Sequence, residues 1–190
     1  MVRDFLALIT ETYIRFMRRW NEIVPVCSVP VRAYRGTGIS SAALSGRALP
    51  VIQNHGQDAH ATTTPDDVTT NYAVHWSMLH GGRIMVRNDA STNLSPAMYE
   101  EFARPYDQRL LDELGGGGIH FCGRGDHLIA KFSELSGLYA INATQPALNN
   151  VEALFVATVD KQINLLGFER DIASQAREQG RPLRGRVHCW

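Results

Sequence analysis

The chain has 190 residues, 44% of them hydrophobic and 20% charged, enough for one domain with a real core. Lys plus Arg is 19 and Asp plus Glu is 19, so a formal charge of zero gives no electrostatic case for nucleic acid or an anionic membrane surface. The three cysteines, Cys27, Cys122 and Cys189, are odd in number and far apart, which argues against a disulfide framework. No apolar run approaches the length of a membrane span and the N-terminus lacks a signal peptide's apolar core, so the expectation is a cytoplasmic protein.

Val2 to Ile23 reads as a helix. Phe5, Ile9, Tyr13, Phe16 and Trp20 recur at helical spacing, and Leu6, Ile14 and Met17 widen the stripe. This predicts a packing helix over residues 1–24, broad enough to sit on a sheet. Residues 25–73 differ: prolines, glycines and Ser/Thr without sustained periodicity predict an irregular insert. Within it, Asn54 to Thr64 is expected to carry no site, its His55 and His60 included.

Residues 74–190 alternate strand and helix. Arg83 to Arg87 reads as a strand ending in Asn88 and Asp89. A helix follows, with Ser95 as its cap and Pro96 at its first position, running to about Leu114 with a kink at Pro105. Gly118 to Phe121 is the next strand, followed by a helix from Asp126 to Leu135 with Asp126 as its cap. Leu138 to Asn142 is a strand, Asn150 opens a helix through Val159, and Gln162 to Phe168 fits strand or helix. Glu169 to Gln179 is helical with Gly180 as its stop, and Arg184 to Cys189 is a final strand. The alternation predicts a parallel sheet with crossover helices.

The chemistry gathers at predicted strand ends: Asn88 and Asp89, His120 and Cys122, Asn142 and Gln145, His188 and Cys189. In α/β barrels and open α/β sheets that edge carries the site. His120 and Cys122 are two apart and so share a face of a strand. Imidazole plus thiolate suits Zn²⁺, and Gly123 and Gly125 let the backbone turn away. The alternative is a buried strand with an inert cysteine and a hydrogen-bonded histidine. Asp89, Asn142 and Gln145 are placed to orient a substrate or to hold the ligands through hydrogen bonds.

The stretch NDASTNLSPAMYEEFARPYDQRLLDELGGGGIHFCGRGDHLI, Asn88 to Ile129, resembles the uroporphyrinogen decarboxylase superfamily, which includes zinc-dependent, cobalamin-linked methyltransferases. The resemblance rests on the LSP…Y..F..PY segment and the HxCG strand end, and it covers about Arg83 to Cys189. It implies the second half of an eight-stranded (β/α) barrel of the TIM type, with the first half missing or replaced. It implies Asp89, His120 and Cys122 as catalytic residues and Asn142 and Gln145 as cofactor-binding ones. In the methyltransferase branch an H-x-C pair and a distant cysteine hold zinc. His120 and Cys122 match the pair, Cys189 is the one downstream cysteine, and Cys27 lies in the irregular stretch. The implied partners are a small-molecule thiol, a corrinoid methyl carrier on another protein, and a second copy or a complementing chain. The decarboxylase branch would instead bind a porphyrinogen without metal, through an arginine cluster at the pocket mouth. A third reading is a barrel fragment with no activity of its own.

Overall fold

The structure, a computed structural model, describes residues 1–23, 72–76 and 78–189. The insert expected at 25–73 therefore lies almost wholly outside the described residues, as do Cys27, His55 and His60. The chain begins with α1 (Val2–Ile23), which has the predicted bounds. A hairpin follows, β1 (Tyr72–His75) and β2 (Met78–Gly81), paired antiparallel. The main sheet contains β3 (Ile84–Arg87), β4 (Gly117–Phe121), β5 (Leu138–Ala143), β6 (Asn164–Phe168) and β7 (Val187–Cys189). All four of its pairings are parallel, and spatial order equals chain order. The stretch left open at Gln162 to Phe168 is thus a strand.

The crossovers are α2 (Pro96–Phe102) and α3 (Arg104–Leu114), then α4 (Ile129–Phe132), α5 (Val151–Ala157) and α6 (Arg170–Glu178). Ser95 caps α2 by accepting from the Met98 N–H at 3.2 Å, with Pro96 at the first position. The predicted kink at Pro105 is a full break at Ala103, because proline cannot supply the N–H that would continue the ladder. Asn150 caps α5 through the Ala153 N–H at 3.0 Å. Asp126 does not cap a helix as expected. It accepts from the Asn150 N–H at 3.0 Å, and α4 is only four residues long.

Right-handed crossovers between strands in sequential order put every helix on the same side of the sheet. That side holds the apolar core. Phe121 packs on Phe132 of α4 at 5.9 Å between ring centres, and Phe155 of α5 on Phe168 of β6 at 5.5 Å. The other face is covered by the hairpin, whose His75 and His80 point inward and are buried while Val74 and Leu79 point outward. Here α1 departs from expectation. It packs on α3, not on the sheet, through the residues expected only to widen its stripe, Ile14 and Met17, together with Thr10. Its main stripe faces outward.

Candidate metal centre

Parallel pairing places Arg87, His120, Asn142, Leu166 and His188 side by side across the sheet. Residues in one register row of a parallel sheet share a face. The row therefore lies on the hairpin side, since His75 of β1 reaches Asn142 and His120 there. Beyond it, at the carboxyl edge, come Asp89 and Cys122.

The ligating atoms of Asp89, His120 and Cys122 all lie within 4.8 Å of one another. His120 Nε2 is 3.3 Å from Cys122 Sγ and 3.5 Å from an Asp89 carboxylate oxygen. Tetrahedral zinc with bonds of about 2.0–2.3 Å requires ligand atoms roughly 3.4–3.6 Å apart, so two edges of the tetrahedron are already in place. The Asp89 carboxylate is also anchored, accepting from the Cys122 N–H at 2.7 Å.

Hydrogen bonding fixes the histidine tautomer. Asn142 donates its amide N–H to the Leu166 carbonyl at 2.7 Å, which turns its side-chain oxygen toward the histidines. That oxygen accepts from His120 Nδ1 at 2.5 Å and from His75 Nε2 at 3.1 Å. The proton of His120 thus sits on Nδ1, and the Nε2 lone pair faces Cys122 and Asp89. This is the arrangement by which metal-binding histidines are oriented. The Trp76 ring meets His120 edge-on at 5.1 Å and stacks on His75 at the same separation. Burial, and secondarily the neighbouring His120, holds His75 below the usual imidazole range. His120 is 1% exposed whereas Asp89 is 49% exposed, so the triad has a dry back and a wet front.

Glycines shape that front. Gly123 turns the chain at a φ of +80°, a region that strains any other residue. Its N–H donates to the Gln145 side-chain oxygen at 2.7 Å, and Asn149 accepts from the N–H groups of Gly125 and Asp126 at 2.7 and 3.0 Å. Thr144 donates its hydroxyl to Cys122 Sγ at 3.2 Å. Asn142 and Gln145, expected at a cofactor, are thereby engaged in holding His120 and the glycine turn.

Asn88 serves the same loop from the helix side. Its amide donates to Asp107 at 2.5 Å, the Tyr99 hydroxyl donates to the same carboxylate at 3.0 Å, and Ser91 donates to Asn88. Burial pushes Asp107 up to about 6 against the lowering effect of these two donors, and burial also raises Tyr99.

The structure does not bring Cys189 to the pair. It lies on β7, three strands from β4 and roughly 14 Å along the sheet, given strand spacings of about 4.8 Å. It also faces the other way. Cys189 packs toward Arg170 and Ala173 of α6, with its thiol pushed up chiefly by burial, and its neighbour His188 takes the site's face. Sequence reasoning missed His75, His80 and Trp76, which stand on a hairpin assigned partly to the insert. The alternation Ala73, His75 against Val74, Trp76 was the available signal. Comparison with protein-family models, with curated proteins and with solved structures returns no match for the chain.

Proposed function

We propose that this chain is a zinc-binding α/β domain in which Asp89, His120 and Cys122 are the protein ligands and the fourth position is open to a small-molecule thiol. The observation that carries the reading is the tautomer-fixed Nε2 of His120 lying 3.3 Å from a cysteine sulfur and 3.5 Å from a carboxylate oxygen. Three protein ligands with a solvent-facing front are the pattern of catalytic rather than structural zinc. The sequential parallel sheet supports descent from a (β/α) barrel of the uroporphyrinogen decarboxylase type, methyltransferase-like in chemistry.

Zinc at this position would lower the pKa of a bound substrate thiol, giving a thiolate near neutral pH that can attack a methyl group on a corrinoid presented by a partner. The chain's own residues do the rest. Asn142 holds His120 in the ligating tautomer, Thr144 offers its hydroxyl to the cysteine sulfur, and the Asp89 carboxylate supplies a negative charge at the open side. The hairpin keeps water from the back of His120.

The test is zinc stoichiometry after chelation and reloading. Wild type should hold about one zinc per chain, while Cys122→Ser and Asp89→Ala should lose it. Cys189→Ser should keep it. Equal loading of wild type and Cys122→Ser would overturn the reading. A second reading is a half barrel that needs a complementing chain. It is favoured by β3 and β7, whose outer edges have no strand partner among the described residues.

A further inference from the structure

We infer that α1 is the interface of a homodimer in which the helices of two copies lie antiparallel. The helix is apolar on two sides. One side is committed within the chain: Thr10 and Ile14 are buried against α3, and ion pairs Arg18–Glu113 at 2.9 Å and Arg3–Glu101 at 2.8 Å, with Arg109–Glu11, fix the helix in place. The other side carries Val2, Phe5, Ile9, Phe16, Trp20 and Ile23, exposed at 57%, 59%, 48%, 59%, 49% and 63%. These residues recur at three- and four-residue steps, with Tyr13 filling the central gap, as in the seam of a helix pair. Phe16 and Trp20 stack on each other at 6.2 Å between ring centres, which presents a preformed aromatic surface.

What covers this stripe follows from its symmetry. A two-fold interface must be complementary to itself, so the stripe has to map onto itself when the helix is reversed. Reversal about the midpoint between Thr12 and Tyr13 exchanges Val2 with Ile23, Phe5 with Trp20, and Ile9 with Phe16. Each of these six positions then meets another apolar one, and Tyr13 of each copy lies beside the centre, opposite Thr12.

The area is adequate. Aromatic side chains offer about 150–250 Å² each, so half-exposed Phe5, Tyr13, Phe16 and Trp20 with the aliphatic positions amount to roughly 700 Å² per copy. A standard interface uses about 800 Å² per partner, and monomers rarely leave apolar patches beyond a few hundred Å² uncovered. The inference does not depend on the metal centre, which lies on the opposite side of the helix layer.

Light scattering on the full chain at about 100 µM, well above a micromolar Kd, should give twice the 21.1 kDa of one chain. Phe16→Glu with Trp20→Glu should give the monomer mass with an unchanged circular dichroism spectrum. In a background with the three native cysteines replaced by serine, an equimolar mixture of Ile9→Cys and Phe16→Cys chains should oxidise to a mixed cross-linked dimer, and Ile9→Cys alone should not cross-link. A monomeric wild type, a dimer that survives the double glutamate variant, or efficient cross-linking of Ile9→Cys alone would each overturn the inference.

Discussion

On its helix side the sheet presents Ile119, Phe121, Ile141, Leu165 and Phe168. One residue along in the same strands, on its hairpin side, it presents His120, Asn142, Leu166 and His188. Both faces are dry over the central strands, with His188 exposed at the edge, yet they follow different rules. The helix face is held by apolar area and ring contacts, which are non-directional and tolerate modest repacking. The hairpin face holds imidazoles and an amide in a closed chain of hydrogen bonds, where losing one member orphans the next. A strand's period of two lets one segment serve stability on one side and chemistry on the other.

Damage to one face should leave the other intact. Phe155→Ala removes a side chain 1% exposed that packs on Phe168, and should cost about 3–5 kcal/mol in denaturant unfolding. Zinc per folded chain should not change. If zinc affinity falls together with stability, the faces are not separable.

Asp107 is the buried carboxylate on the helix side, and its pH behaviour sharpens the contrast. Its folded-state value of about 6 lies above the ordinary 3.8, so its protonated form favours folding. The associated stability is present below about pH 4 and is lost as pH rises through 6, by about 2–3 kcal/mol. Asp107→Asn should remove this loss, so its advantage over wild type in urea midpoint should grow between pH 4 and 6 and then level off. A constant offset at all pH values would contradict it. His75 and His80, both held low chiefly by burial, act with the opposite sign: stability should fall as pH drops below about 6.5.

Asn142→Ala probes the hairpin face. It frees the His120 tautomer and removes the amide donor from the Leu166 carbonyl. Zinc affinity should fall about 10–100-fold, the usual cost of losing a group that orients a ligand. Unchanged affinity in competition with a chelator would remove Asn142 from the site. The smallest effect belongs to neither face. Ser95→Ala deletes a helix cap and should cost about 1 kcal/mol without altering metal content, as read by thermal unfolding and zinc analysis.

What could be read from the sequence was what is decided locally. The Ser95–Pro96 start and the Gly180 stop are set by backbone geometry within a turn and stand where their residue types require, while the interruption expected as a kink at Pro105 is a full break at Ala103. The His120–Cys122 pair was legible because its spacing alone puts both on one face. Asp126 was misjudged because its carboxylate is taken by the Asn150 N–H, 24 residues away, a competitor no local pattern reveals. Cys189 was misjudged for a related reason. In RVHC two adjacent residues must face opposite sides, and only the register of β7 on β6 decides which one joins the site. The stripe of α1 was correctly apolar but assigned to the wrong neighbour, since periodicity tells which face is apolar and not what covers it.

The proposed metal ligands are Asp89, His120 and Cys122, and Cys189 lies outside the site. Cobalt(II) substitution tests this ligand set most directly, because a thiolate ligand gives a charge-transfer band and a tetrahedral site gives intense visible transitions. Both signals are expected in wild type and in Cys189→Ser, with loss of the charge-transfer band in Cys122→Ser and an altered visible spectrum in Asp89→Ala. A charge-transfer band that persists in Cys122→Ser and vanishes in Cys189→Ser would contradict it.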